Sequence, residues 1–124
     1  MLIDGEGRYK EELFLEREPM EEALYWLEKS HEQGNNTGTN NLGWMHLHGH
    51  GMAAPDYPRA MELFEEAARR GSAASLKHLG TMYEQGLGVA PDLRRALNYY
   101  KHSADGGYQK GKAEFDRLLQ QMKG

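Results

Sequence analysis

One stretch decides the fold of this chain: Leu79-Gly80-Thr81-Met82-Tyr83-Glu84-Gln85-Gly86-Leu87-Gly88-Val89. Its apolar residues lie three and four positions apart, which is the spacing of one face of a helix. Gly80 falls inside this pattern, where glycine costs about 1 kcal/mol relative to alanine, so we expect another helix to approach closely there. Gly86 and Gly88 predict the end of the helix, because glycine adopts the left-handed conformation that a C-terminal cap needs.

The same pattern occurs earlier in the chain, in the stretch 42–51. Gly43 and Gly80 are 37 residues apart, and so are Gly51 and Gly88. Further positions keep this register to within one residue: Ala23, Ala60 and Ala96; Leu27, Phe64 and Tyr100; Gly34, Gly71 and Gly107; Leu42, Leu79 and Phe115. An internal repeat of this period is typical of paired helices that stack into a superhelix.

Periodicity and capping residues predict six helices, over residues 20–33, 37–48, 57–70, 73–85, 93–105 and 109–122. Asp56 and Asp92 are the expected N-caps of two of them, and Pro58 suits a first turn, where its missing N–H does no harm. The predicted fold is all-α, an α/α superhelical solenoid of antiparallel helix pairs over residues 20–122. This repeat domain would hold the tail of one repeat, two full repeats and a C-terminal capping helix. Residues 1–19 leave the register, and we expect an N-terminal insertion or cap there, either a short helix or an edge strand.

The apolar faces of the helices give expectations for the core. In the first helix this face consists of Ala23, Trp26, Leu27 and Ser30. In the second helix the residues expected to point inward are Leu42, Met45 and His46. The last helix has one apolar stripe and otherwise polar faces, which is typical of a terminal capping helix.

The composition limits the classes of function. The chain has 124 residues, the length of one domain, and a formal net charge of -4 without a basic stripe, so we expect no nucleic-acid partner. It contains no cysteine, which excludes a thiolate zinc site, and no apolar run near the ~20 residues of a membrane span. Residues 1–6 lack a basic region followed by an apolar run, so we expect no signal peptide and a cytoplasmic protein.

Two successive units of the chain carry the same signature residues. The second unit has Leu79-Gly80, Tyr83, Gly86, Gly88, Val89, Asp92, Ala96, Tyr99-Tyr100, Ala104 and Gly107. The first unit has Leu42-Gly43, Gly49, Gly51, Asp56, Ala60, Phe64, Ala67-Ala68 and Gly71. On these residues the chain resembles the Sel-one-like repeat family, a relative of tetratricopeptide repeats, over residues 20–122. The resemblance implies protein–protein scaffolding, with signalling, secretion-associated and immunity roles among bacterial members.

In such a solenoid the first helix of each pair lines an inner groove, and residues offset from the Leu-Gly core are expected to face it. The predicted groove residues are Asn40, Trp44, Leu47, His48, Lys77, Thr81, Glu84 and Arg117. Trp44 aligns with Thr81 and is therefore not required by the repeat. It is a candidate binding anchor, since tryptophan and arginine dominate interface hot spots. The alternative is that Trp44 packs against the N-terminal insertion.

Three histidines offer a different class of site. His46 and His50 lie four positions apart and, with His48, could share a metal ion. However, His46 occupies the position where the repeat has a core tyrosine, the helix is ending, and no carboxylate lies in the stretch. The structural interpretation is therefore one buried histidine and two solvated ones. His31 replaces a small alanine of the repeat, which indicates looser packing or a polar contact with the N-terminal insertion.

These observations favour a non-catalytic module that binds another protein or a peptide in its concave groove. The chain shows neither a Ser/His/Asp set nor a phosphate loop, and each Gly-x-Gly follows a helix, whereas a dinucleotide-binding loop follows a strand. We therefore expect no enzyme activity and no cofactor. One alternative is a cytosolic immunity or inhibitor protein for a bacterial toxin or effector, and another is the histidine-based metal or small-ligand site. We expect a monomer that does not bind membranes.

Overall fold

The computed structural model of this protein describes residues 19–124, with side chains from residue 21 onward. It contains the helices α1 (Pro19–Glu32), α2 (Asn36–His48), α3 (Tyr57–Arg69), α4 (Ala73–Gln85), α5 (Leu93–Asp105) and α6 (Gln109–Lys123). Residues 19–124 contain no strand, and the all-α prediction is confirmed. Each predicted boundary lies within one residue of the observed one. The expectation of an N-terminal insertion or cap concerns residues that, apart from Pro19, lie outside the described part of the chain.

Four of the described helices, α2 to α5, begin at polar side chains that accept a backbone hydrogen bond. The carboxylates of Asp56 and Asp92 each accept from the N–H three residues further on, at 3.1 Å, as predicted. Asn35 and Ser72 cap α2 and α4 in the same way. Pro58 occupies the first turn of α3. Because such a cap contributes about 1 kcal/mol, the starts of these four helices are fixed locally by the sequence.

Glycines in the left-handed conformation end α2 and α4. Gly49 and Gly86 each have a φ of 70°, and Gly51 and Gly88 in the following turns have a φ of 77°. At Gly88 there is also no room for a side chain, since an added Cβ would lie 2.5 Å from the Cβ of Tyr57. The turn after α4 therefore packs closely against the start of α3.

The helices stack as pairs. Each helix packs on the next one along the chain, and α4 also contacts α2 and α6. The first helices of the pairs, α2, α4 and α6, thus lie side by side and form the inner layer of the solenoid. None of the helices within residues 19–124 combines the length and the apolar character that crossing a membrane requires.

Glycine inside the inner helices allows the close approach that the sequence predicts. An ideal Cβ on Gly80 would lie 2.5 Å from Cε1 of Tyr100, and one on Gly43 would lie 2.7 Å from Cε1 of Phe64. Tyr100 and Phe64 are fully buried. In each repeat an aromatic ring of the second helix therefore packs directly on the backbone of the first.

Two clusters of buried side chains lie along the stack. The first consists of Leu47, Ala60, Phe64, Leu79 and Met82, from α2, α3 and α4. The second consists of Ala96, Tyr100 and Leu118, from α5 and α6. Leu42 and Met45 are buried as predicted.

The predicted inner face of α1 is wrong in part. Ala23 is exposed and Trp26 is 57% exposed, while Leu27 and Ser30 are partly buried. The aligned Ala60 and Ala96 are fully buried by comparison. Those two alanines lie on helices that pack against the helix before them, whereas the chain before α1 lies outside the described residues. The repeat register therefore gives the position of a residue in its helix but not what covers it.

Candidate functional site

A cavity of about 330 Å³ opens on the inner layer between α2 and α4. We call it the α2–α4 cavity, and its lining residues are Trp44, Leu47, His48, Tyr57, Lys77, His78, Thr81, Gln85 and Leu87. Five of the predicted groove residues are among them. Asn40, Glu84 and Arg117 were predicted for the same surface, but they do not line this cavity.

Trp44 is the large aromatic side chain of the cavity that remains accessible, with 38% of its surface exposed. Its ring centroid lies 4.4 Å from that of His48 and 4.8 Å from that of His50, and the His50 ring is nearly parallel to it. The two imidazoles hold the indole in one orientation before any ligand arrives. The alternative prediction, packing of Trp44 on the N-terminal insertion, concerns residues outside the described part of the chain.

Leu47 contributes to the cavity in a different way from the other predicted residues. It is only 6% exposed and belongs to the first buried cluster, so it forms the floor of the cavity rather than a free contact surface. Tyr57 and Leu87 complete the wall, and sequence reasoning did not select them. They come from the start of α3 and from the turn after α4, which the contact between Gly88 and Tyr57 brings together.

The ionisable side chains that line the cavity are Lys77, His48, His78 and Tyr57, and no carboxylate of the described residues lies among its lining. Burial lowers the pKa of His48, and the charges of His50 and Lys77 lower it further. Burial also lowers the pKa of His78 to about 4, and Lys77, His48 and Lys110 act in the same direction. Both imidazoles are therefore held neutral at pH 7 beside a charged lysine.

Sequence reasoning also missed His78. Its ring stacks on Phe64 of the core at a centroid distance of 4.8 Å. The aligned positions in the neighbouring repeats are Asn41 and Glu114, so the register gives a polar position with no reason to be buried. The signal that could have found His78 is its position directly after Lys77, which is a predicted groove residue.

Glu84 and Arg117 form a separate polar cluster further along the inner layer. Arg117 Nη2 donates to Glu84 and to Glu114 at 2.6 Å each, and the Tyr100 hydroxyl donates to Glu84 at 2.8 Å. Burial opposes ionisation of Glu84, but the hydrogen bonds from Arg117 and Tyr100 outweigh it and hold its pKa below the ordinary value. The Thr81 hydroxyl lies 3.3 Å from that of Tyr100 and connects this cluster to the cavity. The ion pair joins α4 to α6, so both charges are already compensated within the chain.

Asn40 likewise makes a contact between inner helices. Its Oδ1 accepts a hydrogen bond from the buried Ser75 hydroxyl at 2.6 Å. Asn40 belongs to α2 and Ser75 to α4, so this bond fixes the two walls of the groove relative to one another. As with Glu84 and Arg117, the predicted position on the inner layer does not by itself make the side chain free to bind.

The three histidines considered for a metal site are not brought together. The ring nitrogens of His46 are buried and have no hydrogen-bond partner in residues 19–124, and burial lowers the pKa of this imidazole. His48 and His50 instead lie on Trp44, with their ring centroids 5.7 Å apart. Within the described residues no group of three or more His, Asp or Glu side chains is placed to hold a metal ion.

His31 makes a polar contact with a neighbouring helix, and the predicted contact with the N-terminal insertion concerns residues outside the described part of the chain. Its Nδ1 lies 2.8 Å from the hydroxyl oxygen of Thr39, which is fully buried on α2. This contact gives the buried hydroxyl of Thr39 a partner between α1 and α2. The residues aligned with His31 in the later repeats are alanines, Ala68 and Ala104.

Three curated relatives resemble the chain over 60–80% of its length. It is 35% identical over 74 residues to the ERAD-associated E3 ubiquitin-protein ligase component HRD3B of Arabidopsis thaliana, covering 60% of this chain and 11% of that protein. It is 32% identical over 89 residues to the corresponding component HRD3 of Candida glabrata, covering 72% and 10%. It is 30% identical over 103 residues to the uncharacterized protein NMB1327 of Neisseria meningitidis serogroup B, covering 80% and 22%. The chain thus spans between a tenth and about a fifth of the length of these relatives.

Two solved structures share the fold. One is c5321, a protective antigen present in uropathogenic Escherichia coli strains and displaying an SLR fold, with a TM-score of 0.72 and 30% identity. The match covers 80% of this chain and 21% of that chain. The other is a Sel1 repeat protein from Oxalobacter formigenes, with a TM-score of 0.69 and 26% identity over 77% of this chain and 38% of that chain.

The family is shown by the repeats themselves. The family model of the Sel1 repeat matches residues 15–35, 38–72 and 73–108, which together make up most of the chain. The second and third matches contain Gly43 and Gly80, on which the predicted helix contacts depend. The chain therefore belongs to the Sel1 repeat family.

Proposed function

We propose that this chain is a non-catalytic binding module that holds a partner protein or peptide in the groove formed by α2, α4 and α6. Proteins of the Sel1 repeat family generally act as scaffolds for protein–protein interaction. Two relatives are named as components of an E3 ubiquitin-protein ligase, that is, as parts of an assembly. Because the chain spans about a tenth of those proteins, their names support only this coarse class of function.

The observation that carries the proposal is the exposed indole of Trp44 in the α2–α4 cavity. It is 38% exposed although it sits beside the buried Leu47, and two imidazoles fix its ring. A partner side chain that covers the indole gains apolar contact without the entropic cost of ordering it. Such preorganised tryptophans are typical hot spots of interfaces.

The test compares two tryptophans of the same chain. Partners captured from the source cell by the wild-type protein are identified by mass spectrometry, and the dissociation constant of the purified pair is then measured by calorimetry. We expect Trp44→Ala to weaken binding by about 2 kcal/mol or more, roughly thirtyfold, as a hot-spot residue does.

The matched control is Trp26→Ala, which removes an indole that is 57% exposed on α1, away from the cavity. We expect it to change the binding free energy by less than about 0.5 kcal/mol, because it lies outside the groove. Circular dichroism checks that both variants remain helical. The proposal fails if Trp44→Ala binds as tightly as Trp26→Ala.

A further inference from the structure

The charged groups that line the α2–α4 cavity differ in sign from the net charge of the whole chain. The sequence has 19 acidic and 15 basic residues, yet the described lining of the cavity holds Lys77, His48 and His78 without a carboxylate. His50 lies beside the same indole, and Lys110 of α6 is close enough to influence His78. Because both imidazoles favour the neutral form, the positive charge of the described lining is that of Lys77, on a protein that is negative overall.

Lys77 is a cation of the cavity lining without an ion pair, and Arg69, Arg94, Lys110 and Lys123 elsewhere on the helices likewise make none with a described residue. Lys101 and Lys112 pair with carboxylates one turn further along their own helix, and Arg117 pairs with Glu84 and Glu114. Lys77 makes no ion pair with any described residue, and the positions three and four residues away on either side are Ala, Gly or Thr. The ammonium group of Lys77 is therefore available to pair with a group that does not belong to the described residues.

Apart from the polar side chains of Thr81 and Gln85, the rest of the cavity lining is largely apolar. Trp44, Leu47, Tyr57 and Leu87 form its floor and walls, and its volume of about 330 Å³ suits one or two side chains of a peptide. An apolar wall with a single uncompensated ammonium group at its side selects a ligand of matching chemistry. That ligand carries an apolar side chain next to a carboxylate, because an unpaired charge close to a bound apolar group is unfavourable.

We propose that the α2–α4 cavity receives an acidic segment of the partner, with an apolar side chain against Trp44 and an adjacent carboxylate beside Lys77. This inference rests on the proposed function of the groove and adds the chemistry of its ligand.

The experiment uses the full chain with Trp26→Phe. The sequence has two tryptophans, so the remaining tryptophan fluorescence, excited selectively over that of the tyrosines, comes from Trp44. The probes are two pools of short synthetic peptides with blocked ends, identical except for a central Leu-Glu in one and Leu-Gln in the other. We expect the Leu-Glu pool to change the Trp44 fluorescence and to bind at least about tenfold more tightly than the Leu-Gln pool, since hydrogen bonds to charged groups are the stronger ones. The difference should shrink at high salt.

Substitutions assign the effect to one side chain. Lys77→Gln should bring the affinity for the Leu-Glu pool down to that for the Leu-Gln pool. The matched control is Lys101→Gln on α5, which lies outside the cavity and should leave the difference unchanged.

Two outcomes would overturn the inference. Equal binding of both pools that changes Trp44 fluorescence would show that the groove binds peptides without selecting a carboxylate, which leaves the proposed function in place. No response to either pool would also overturn it, and the comparison of Trp44→Ala with Trp26→Ala on a captured partner then decides the proposed function separately.

Discussion

At Gly80 a single hydrogen atom in place of a side chain determines how closely two helices pack. An ideal Cβ there would lie 2.5 Å from the ring of the fully buried Tyr100. Helix propensity alone predicts that Gly80→Ala stabilises the protein by about 1 kcal/mol. Forcing a methyl group into a packed contact typically costs about 1–3 kcal/mol, which outweighs that gain, so we expect the free energy of unfolding to fall by up to about 2 kcal/mol. Urea denaturation measures the change.

Asn98→Ala serves as the control for this substitution. Asn98 is exposed on α5, so the same introduction of alanine into a helix should leave the stability unchanged or slightly raised. A Gly80→Ala protein that is more stable than the wild type would contradict the account of the contact.

The Gly80 contact was predictable because glycine inside a helix needs a reason, whereas another small-residue contact was not. An added Cβ on Gly38 would collide with the side chain of Ser30, and one on Gly111 with that of Ser103. In the middle repeat Ala67 aligns with Ser30 and Ser103, and Ser75 aligns with Gly38 and Gly111. There the serine lies on the inner helix and the smaller residue on its neighbour. Only the coordinates reveal this exchange, because the sequence does not show that the two positions touch.

At the scale of elements, three helices meet around His78 and make the stability depend on pH. The imidazole lies on α4, stacks on Phe64 of α3 and faces Lys110 of α6. Burial, followed by the charges of Lys77, His48 and Lys110, lowers its pKa from 6.5 to about 4. Between these two pH values the unfolded chain binds more protons than the folded one, so stability is complete above pH 6.5 and falls as the pH is lowered.

We expect His78→Gln to reduce this loss of stability between about pH 7 and about pH 4 by up to about 3 kcal/mol, at about 1.4 kcal/mol for each unit of pKa shift. Thermal or urea unfolding at a series of pH values gives the slope. His102→Gln, at an exposed position of α5, is the control and should keep the slope of the wild type. The same slope in all three proteins would contradict the burial of a neutral His78.

The helices themselves were predictable because local chemistry fixes their ends. Asp56, Asp92 and the glycines after α2 and α4 act within one turn, so the boundaries follow from neighbouring residues. The inner face of α1 was not predictable in the same way. Ala23 and Trp26 follow the repeat register and are nevertheless exposed, since burial depends on which element covers a face.

At the scale of the whole molecule, the groove is a consequence of stacking. The repeat period places α2, α4 and α6 side by side, and from this the sequence predicts Trp44, His48, Lys77 and Thr81 on the cavity. It does not predict Tyr57 and Leu87, because they reach the cavity through a turn whose path depends on the contact between Gly88 and Tyr57. Nor does it show that Arg117 is already paired with carboxylates, which requires the relative position of two helices.

The most direct test of the central claim is a nuclear magnetic resonance map of the isotope-labelled chain with its captured partner. The account predicts that the largest shifts occur at the indole N–H of Trp44 and at the backbone amides of Lys77 and Thr81, on the inner layer of α2 and α4. Shifts confined to the outer helices α3 and α5, with the Trp44 indole signal unchanged, would contradict it.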